Sequence, residues 1–329
     1  MAVLVTSALA SGRTFASAAR PRFRVIIDND FSGDPDGLFQ LAHHLLSPSI
    51  EIPFIVGSHI HVNDFLDPSR TQAEDAVSRV HGLMSAMRLS TVPTVLAGRD
   101  AAAAPGAAPV RSAVTDRIIR EARRSDTQVP LVYAAGAGLT ELAEALRIAP
   151  DIATRMRLVW IGGSEWPDLV HGMPRRNDPE YNFTIDAGAA QTVFNDAGIE
   201  IWQVPRNVYR QMLVSMAELG LRLGRAGDLG RFLLDALDAV RYRYPDHMGE
   251  TYILGDSPLV TLTALLSAFE PDSSSSRYVV RPTPLLGADG TYRQREGSRL
   301  MRVYTGIDTR LTFADMFARF ASHQTAQSA

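Results

Sequence analysis

Four aspartates, Asp28, Asp30, Asp34 and Asp36, stand within nine positions of one another. Like charges crowded into one turn repel each other unless a cation sits among them. Oxygen ligands in a chain without cysteine point to a hard ion, Ca2+ or Mg2+. One or two of these residues would serve as ordinary helix caps, but four exceed what capping needs. The turn is therefore read as a metal or catalytic site. Three other stretches carry groups of the same kind. Gly136-Ala137-Gly138-Leu139-Thr140 is small enough for backbone carbonyls to approach a ligand. Glu180, Asn182 and Asp186 share one segment, where the bland reading is turn residues. Asp256 precedes Ser257-Pro258, where the bland reading is a cap. His59 and His61 suggest zinc on sight, but no third nitrogen or sulfur ligand lies near them in the chain, and a pocket-lining or solvated loop is the plainer reading.

The elements around these residues place them. Val25, Ile26 and Ile27 form a short apolar run of the kind that makes a buried parallel strand. Leu38, Leu41, Ala42, Leu45 and Leu46 recur at helical spacing, so a helix opens near Asp36. The four carboxylates thus crowd a strand's carboxyl end, where open α/β sheets hold ligands. The rhythm continues: strands at 52–58, 92–98, 129–135, 158–161 and 199–204 alternate with helical patterns that include 73–87, 139–146 and 187–195. This predicts a mostly parallel open sheet with helices on both faces and a Rossmann-like core. Residues 209–244 read as helix-rich, 259–269 as a helix behind the site, 278–281 with 300–305 as a closing antiparallel pair, and 313–320 as a final helix. Residues 101–109 are an Ala/Gly/Pro loop. Trp160 and Trp202 fall in strands and read as core, whereas Trp166, in a long loop, is the candidate for stacking on a flat ligand.

Composition bounds the partners. Hydrophobic residues make up 46%, enough for a sizeable core, and the net charge of −3 with a pI near 6.2 suggests neither nucleic acid nor an acidic membrane as a partner. No apolar run reaches the roughly 18–20 residues of a membrane span. Residues 1–22 read either as a disordered leader or as the remnant of an export signal that lacks its basic start. The compartment is left open between cytoplasm, which is preferred, and export. One domain over 23–322 and a tail over 323–329 complete the division.

In order and spacing, these segments resemble the inosine–uridine-preferring nucleoside hydrolase family. Asp28-Asn29-Asp30-Phe31-Ser32-Gly33-Asp34-Pro35-Asp36 looks like the family's N-terminal aspartate cluster in a variant form. Gly136-Ala137-Gly138-Leu139-Thr140-Glu141 is similar to its Gly-Pro-Leu-Thr-Asn segment, Glu180-Tyr181-Asn182 to its Glu-Phe-Asn, and Asp256-Ser257-Pro258-Leu259 to its closing His-Asp-Pro-Leu. Ile161-Gly162-Gly163 and Val204-Pro205 also fall where the family has Met-Gly-Gly and Val-Pro, so the likeness spans residues 24–259.

The resemblance implies hydrolysis of the N-glycosidic bond of ribonucleosides, a reaction of purine and pyrimidine salvage. It implies a calcium ion that gathers ribose hydroxyls and a water, with an Asp taking the water's proton. Carried over, Asp30 is general base and calcium ligand, Asp256 a second ligand, and a carbonyl near Gly136 a third; Glu180 and Asn182 hold ribose hydroxyls. Pro35 separates two carboxylates that are adjacent in the family. Spacing from Asp30 gives ribose to Asp34 and metal to Asp36, the preferred assignment; alignment on the helix gives ribose to Asp36, puts Gly37 in the ligand's place and leaves Asp34 to substitute. Ser58 stands where the family has a ribose-binding Asn, with Asn63 a substitute within reach. Gly255 stands where part of the family has a leaving-group acid, leaving His59, His61, Tyr181 or no acid at all. The family also implies a homo-oligomer. Two rivals remain: a nucleoside- or ribose-binding member without turnover, and a metal-dependent phosphatase of haloacid-dehalogenase type, which Asp28-Asn29-Asp30 superficially fits although the chain has no Lys.

Overall fold

The computed structural model describes residues 20–104, 106–170, 178–243, 249–267 and 275–328. Its strands are β1 (Phe23–Asn29), β2 (Ile50–Glu51), β3 (Ile55–Gly57), β4 (Val95–Ala97), β5 (Leu131–Ala135), β6 (Met156–Ile161), β7 (Glu200–Val204), β8 (Leu213–Ser215), β9 (Thr251–Ile253), β10 (Ser276–Pro282), β11 (Leu285–Leu286), β12 (Tyr292–Arg293) and β13 (Leu300–Ile307). The main sheet runs β10-β13-β7-β6-β5-β1-β3-β4, with β2 alongside the start of β1. Its pairs are parallel except the edge pair β10–β13. Two short hairpin-like pairs, β8–β9 and β11–β12, lie outside it.

Side chains alternate between two cores, as the two-residue repeat of a strand requires. Val25 and Ile27 of β1 face one core, and Ile26 faces the other. In β6, Val159 and Ile161 point one way while Leu158 and Trp160 point the other. The first core takes its other half from helices Asp36–Leu45, Gln72–Ala86, Gly227–Arg243 and Thr309–Ser328; the second from Ala113–Ala122, Thr140–Ile148 and Ala187–Gln191. Burial of one such Ile or Leu is worth roughly 2 kcal/mol, so the strands' apolar runs hold the sheet between its layers. The doubly covered parallel sheet agrees with the expectation from strand–helix alternation.

Strand order reverses at β1. The chain steps from β1 outward to β3 and β4, then returns to β5 on β1's other side and proceeds to β6 and β7. Connections leave β1 and β5 in opposite directions, which opens a crevice above their carboxyl ends. Asp30 follows β1 directly and Gly136 follows β5 directly.

Several boundaries differ from the reading of the sequence. The helix expected over 259–269 spans only Pro258–Thr261, and turns follow within the described residues. Two Thr hydroxyls in that stretch bond to nearby backbone, Thr261 to the carbonyl of Ser257 (3.5 Å) and Thr263 to the carbonyl of Leu259 (2.7 Å). The final helix runs Thr309–Ser328, so residues assigned to a tail form its last turns. Most of the N-terminal leader, residues 1–19, lies outside the described residues. No helix among the described residues is long and apolar enough to cross a membrane.

Candidate active site

A cavity of about 320 Å3 opens at the strand reversal, lined by Asp30, Asp34, Asp36, Gly136, Glu180, Asn182 and Asp256, with Tyr209 and Gly255 beside them. Asp28 lies beneath it, fully buried, where it accepts hydrogen bonds from the Ser58 hydroxyl and from Tyr133 (2.5 Å). Burial pushes the Asp28 carboxyl up to about 7, against the pull of those two donors. Ser58, a candidate ribose contact, is therefore committed to Asp28 and does not line the cavity.

Asp30 is 7% exposed, and its carboxylate faces the cavity with no hydrogen bond from another side chain among the described residues. Burial, then the charges of Asp256 and Asp34, hold it well above the usual carboxylate range. Pro35, with φ near −66°, sets the first turn of the helix that Asp36 opens. Asp34 accepts from the Asp36 backbone N–H (3.1 Å) and from Tyr252 (2.7 Å). Asp36 accepts from the Asp256 backbone N–H (3.2 Å). Asp34 is exposed to solvent at the cavity, and desolvation by the surrounding protein raises its carboxyl above the ordinary value. Burial and then the Asp256 charge raise Asp36 well above its ordinary value.

Asp256 arrives just after β9 and is 4% exposed. Its Oδ2 accepts from the Asn29 amide (2.8 Å), and burial pushes its carboxyl up to about 7. Gly136 completes the floor by having no side chain: a Cβ there would lie 2.5 Å from Asn29 Nδ2 and 2.8 Å from Asp256 Oδ1. The close approach anticipated for this glycine segment is thus a contact with Asn29 and Asp256.

Glu180 is fully buried and caps the short helix Tyr181–Ile185. Its two oxygens take backbone N–H groups of Gly163 (2.7 Å), Asn182 (3.1 Å) and Phe183 (2.9 Å) and the hydroxyl of Tyr209 (2.8 Å). Glu180, whose bland reading from the sequence is a turn residue, is the N-cap of this helix. Asn182 gives both amide hydrogens away, to the carbonyls of Gly136 (3.1 Å) and Ile161 (2.8 Å). Its Oδ1 has no hydrogen-bond partner among the described residues, which leaves an acceptor at the cavity wall.

Three other expectations are corrected. Trp166 is 6% exposed, stacks on Tyr292 (4.2 Å between centroids), lies under the Arg281 guanidinium and donates to Gln203 (2.9 Å). With both faces and its N–H engaged it belongs to the core, and it does not line the cavity. Asn63 is exposed on a loop with φ of 61°, and its neighbour Asp64 lines the cavity instead. His59 is buried with Nδ1 on the Arg99 carbonyl (2.8 Å), and burial pushes its pKa down. His61 packs edge-on against Tyr181 (4.7 Å) and meets Thr184 (3.0 Å). Of the suggested acids only Tyr181 lines the cavity, and its hydroxyl donates to Asp64 (2.7 Å). At Gly255 a Cβ would meet Asp36 Oδ2 and Tyr209 Cδ2, each at 3.2 Å. The Tyr209 ring therefore fills the space beside that backbone. Tyr209 and Tyr252 were missed in the sequence. The first follows β7 by five residues, so the strand-end rule applied to Val204-Pro205 would have found it.

Among the described residues no three His, Asp or Glu side chains converge on one point as metal ligands do. The donor chemistry nonetheless suits a hard cation. Asp30 and Asp256 are buried and Asp36 is half-buried; the three repel one another and take their largest upward shifts from desolvation. Arg210, exposed at the rim, is the one cationic side chain lining the cavity among the described residues. A divalent ion would relieve the repulsion that holds these carboxyls high.

Fold and site together define an α/β protein with an acidic crevice at the switch point of a parallel sheet. The chain belongs to the inosine-uridine preferring nucleoside hydrolase family, whose model matches residues 25–314. It is similar in structure to a plant nucleoside hydrolase (TM-score 0.67, 18% identity, 92% of this chain and 100% of that one). It is also similar to a purine-preferring ribonucleoside hydrolase from Gardnerella vaginalis (0.65, 19%, 92% and 100%) and to an inosine-uridine preferring nucleoside hydrolase from Bacillus anthracis (0.59, 16%, 91% and 99%). At these identities the likeness shows the fold. No curated protein sequence matches the chain.

Proposed function

We propose that this protein hydrolyses the N-glycosidic bond of ribonucleosides in the crevice above β1 and β5, giving free base and ribose. The observation that carries the reading is the Asp30 carboxylate, raised in pKa, free of side-chain donors and facing a cavity walled by Asp34, Asp36 and Asp256. A carboxylate raised in this way is a stronger base, suited to take a proton from an attacking water. As the glycosidic bond lengthens, positive charge grows on the ribose ring, and the surrounding carboxylates stabilise it. Oδ1 of Asn182 and the carboxylate of Asp34 accept hydrogen bonds from ribose hydroxyls. Asp30, Asp36, Asp256 and the carbonyl near Gly136 would hold Ca2+, which when bound polarises the water and gathers the diol. The Asp36–Asp256 contact, against the Asp34–Tyr252 one, supports Asp36 as the ligand and Asp34 as the ribose contact.

The test is chromatography of the purified protein with a panel of purine and pyrimidine nucleosides, with chelator and after calcium is restored. Base release that needs calcium and falls at least 100-fold in Asp30→Asn is expected. No release from any nucleoside, or an Asp30→Asn variant as fast as the wild type, refutes it. A second reading, binding without turnover, is favoured by the saturation of Glu180 with four protein donors; calorimetric binding of a nucleoside without product would establish it.

A further inference from the structure

A chain of buried polar side chains runs from the site into the first core. Asn29 Nδ2 donates to Asp256 Oδ2 (2.8 Å) and to Gln40 Oε1 (3.2 Å), while Asn29 Oδ1 accepts the Asp30 backbone N–H (2.8 Å). Gln40 Nε2 meets Nδ1 of His44, and His44 Nε2 meets the Thr263 hydroxyl (2.8 Å). Thr263 donates to the carbonyl of Leu259 (2.7 Å). Asn29, Gln40, His44 and Thr263 are each fully buried, so each must satisfy its polar groups within the protein.

The far end of this chain sets its direction. The Thr263 hydrogen is spent on Leu259, so Thr263 can only accept from His44, and Nε2 must carry the imidazole hydrogen. Nδ1 is then a lone pair that takes a hydrogen from Gln40. The Gln40 amide is thereby turned with its oxygen toward Asn29, and Asn29 is turned with its NH2 toward Asp256. The opposite tautomer would flip Gln40, set NH2 against NH2 at Asn29, and, if Asn29 flipped in turn, set an amide oxygen against the Asp256 carboxylate. From Asn29 to Leu259 each donor points away from the site, an arrangement in which the bonds polarise and strengthen one another, while the second hydrogen of the Asn29 NH2 points the other way, to Asp256.

We infer that Asn29, Gln40 and His44 are positioning residues, and that the Nε2–H tautomer of His44, acting with the Asp30 N–H on Asn29 Oδ1, keeps a hydrogen-bond donor and not an acceptor facing Asp256. This rests on the reading of Asp256 as a cation ligand. Partners that orient a ligating carboxylate in this way typically change metal affinity 10–100-fold when removed.

Two measurements test it. Nitrogen-15 NMR of the histidine side chains, assigned by comparison with His44→Gln, should show His44 neutral with hydrogen on Nε2 from about pH 5.5 to about pH 8. Calcium titration by calorimetry should show about tenfold or weaker binding in Gln40→Met, with the circular dichroism of the wild type. If Gln40→Met does not fold, Thr263→Val should weaken calcium in the same way and Thr263→Ser, which keeps the hydroxyl, should restore it. Hydrogen on Nδ1, a folded Gln40→Met that binds calcium as the wild type does, equal binding by the two Thr263 variants, or a wild type that binds no calcium overturns the inference. The calcium isotherm needs no turnover, so failure of the hydrolase reading shows separately, as absence of released base.

Discussion

His44 gives the protein an acid sensitivity that can be isolated by one substitution. Burial, then the nearby His43, pushes its pKa from an ordinary 6.5 down to about 3, because a charged imidazole cannot be hydrated there. The folded protein thus binds fewer protons at this site than the unfolded chain. Stability from the neutral ring is complete above about pH 6.5 and is lost as pH falls toward 3. Each pH unit inside that window costs at most about 1.4 kcal/mol, so a fall from about pH 7.5 to about pH 4.5 removes roughly 2–3 kcal/mol through His44. The carboxyls act in the opposite sense. Asp28 and Asp256, raised to about 7, lose an unfavourable buried charge as pH falls through that value. Total stability therefore mixes both trends, whereas the difference between wild type and His44→Gln removes what they share. Urea unfolding of both proteins in chelator, followed by fluorescence across that range, should show His44→Gln gaining on the wild type by roughly 2–3 kcal/mol as the solution is acidified. A difference that stays constant with pH would refute the argument that burial keeps this imidazole neutral.

Two further substitutions probe the floor and the wall. Gly136→Ala should destabilise the protein by about 1–3 kcal/mol and cut turnover at least tenfold, because its methyl would press on Asn29 and Asp256; thermal unfolding and initial rates check both. Trp166→Phe should cost about 1–2 kcal/mol from the lost bond to Gln203 and leave the relative rates on different nucleosides unchanged, since Trp166 lies outside the cavity wall. A changed base preference would contradict that placement.

Much of this could be read from the sequence because the signals were local and periodic. Val25-Ile26-Ile27 followed by helical spacing from Leu38 defined one strand–helix unit, and the strand-end rule then located the aspartates. The reversal of strand order was not legible, since nothing in a run of apolar residues says which neighbour it pairs with. Trp166 was misplaced for a related reason: its partners, Tyr292 and Arg281, lie more than 100 positions away. Ser58 sat at the right strand end, yet whether its hydroxyl turned toward ligand or toward Asp28 depended on a buried carboxylate that needed a donor. The shortened helix after Asp256 shows local chemistry overriding an apolar pattern, with the Thr261 and Thr263 hydroxyls bonding to backbone carbonyls.

Asn29 sits as a wedge between two glycines: a Cβ at Gly37 would lie 3.0 Å from its amide and one at Gly136 only 2.5 Å. Its three side-chain hydrogen bonds leave no slack for a different shape. For anyone wishing to redirect this protein to a new substrate, that makes the floor a single indivisible part, in which no one position is open to change alone. The room for variation is at the rim, where Asp64, Phe65, Tyr181, Arg210 and Ile253 come from four separate segments of the chain. A library confined to those five positions would explore the mouth of the crevice while leaving its chemistry standing.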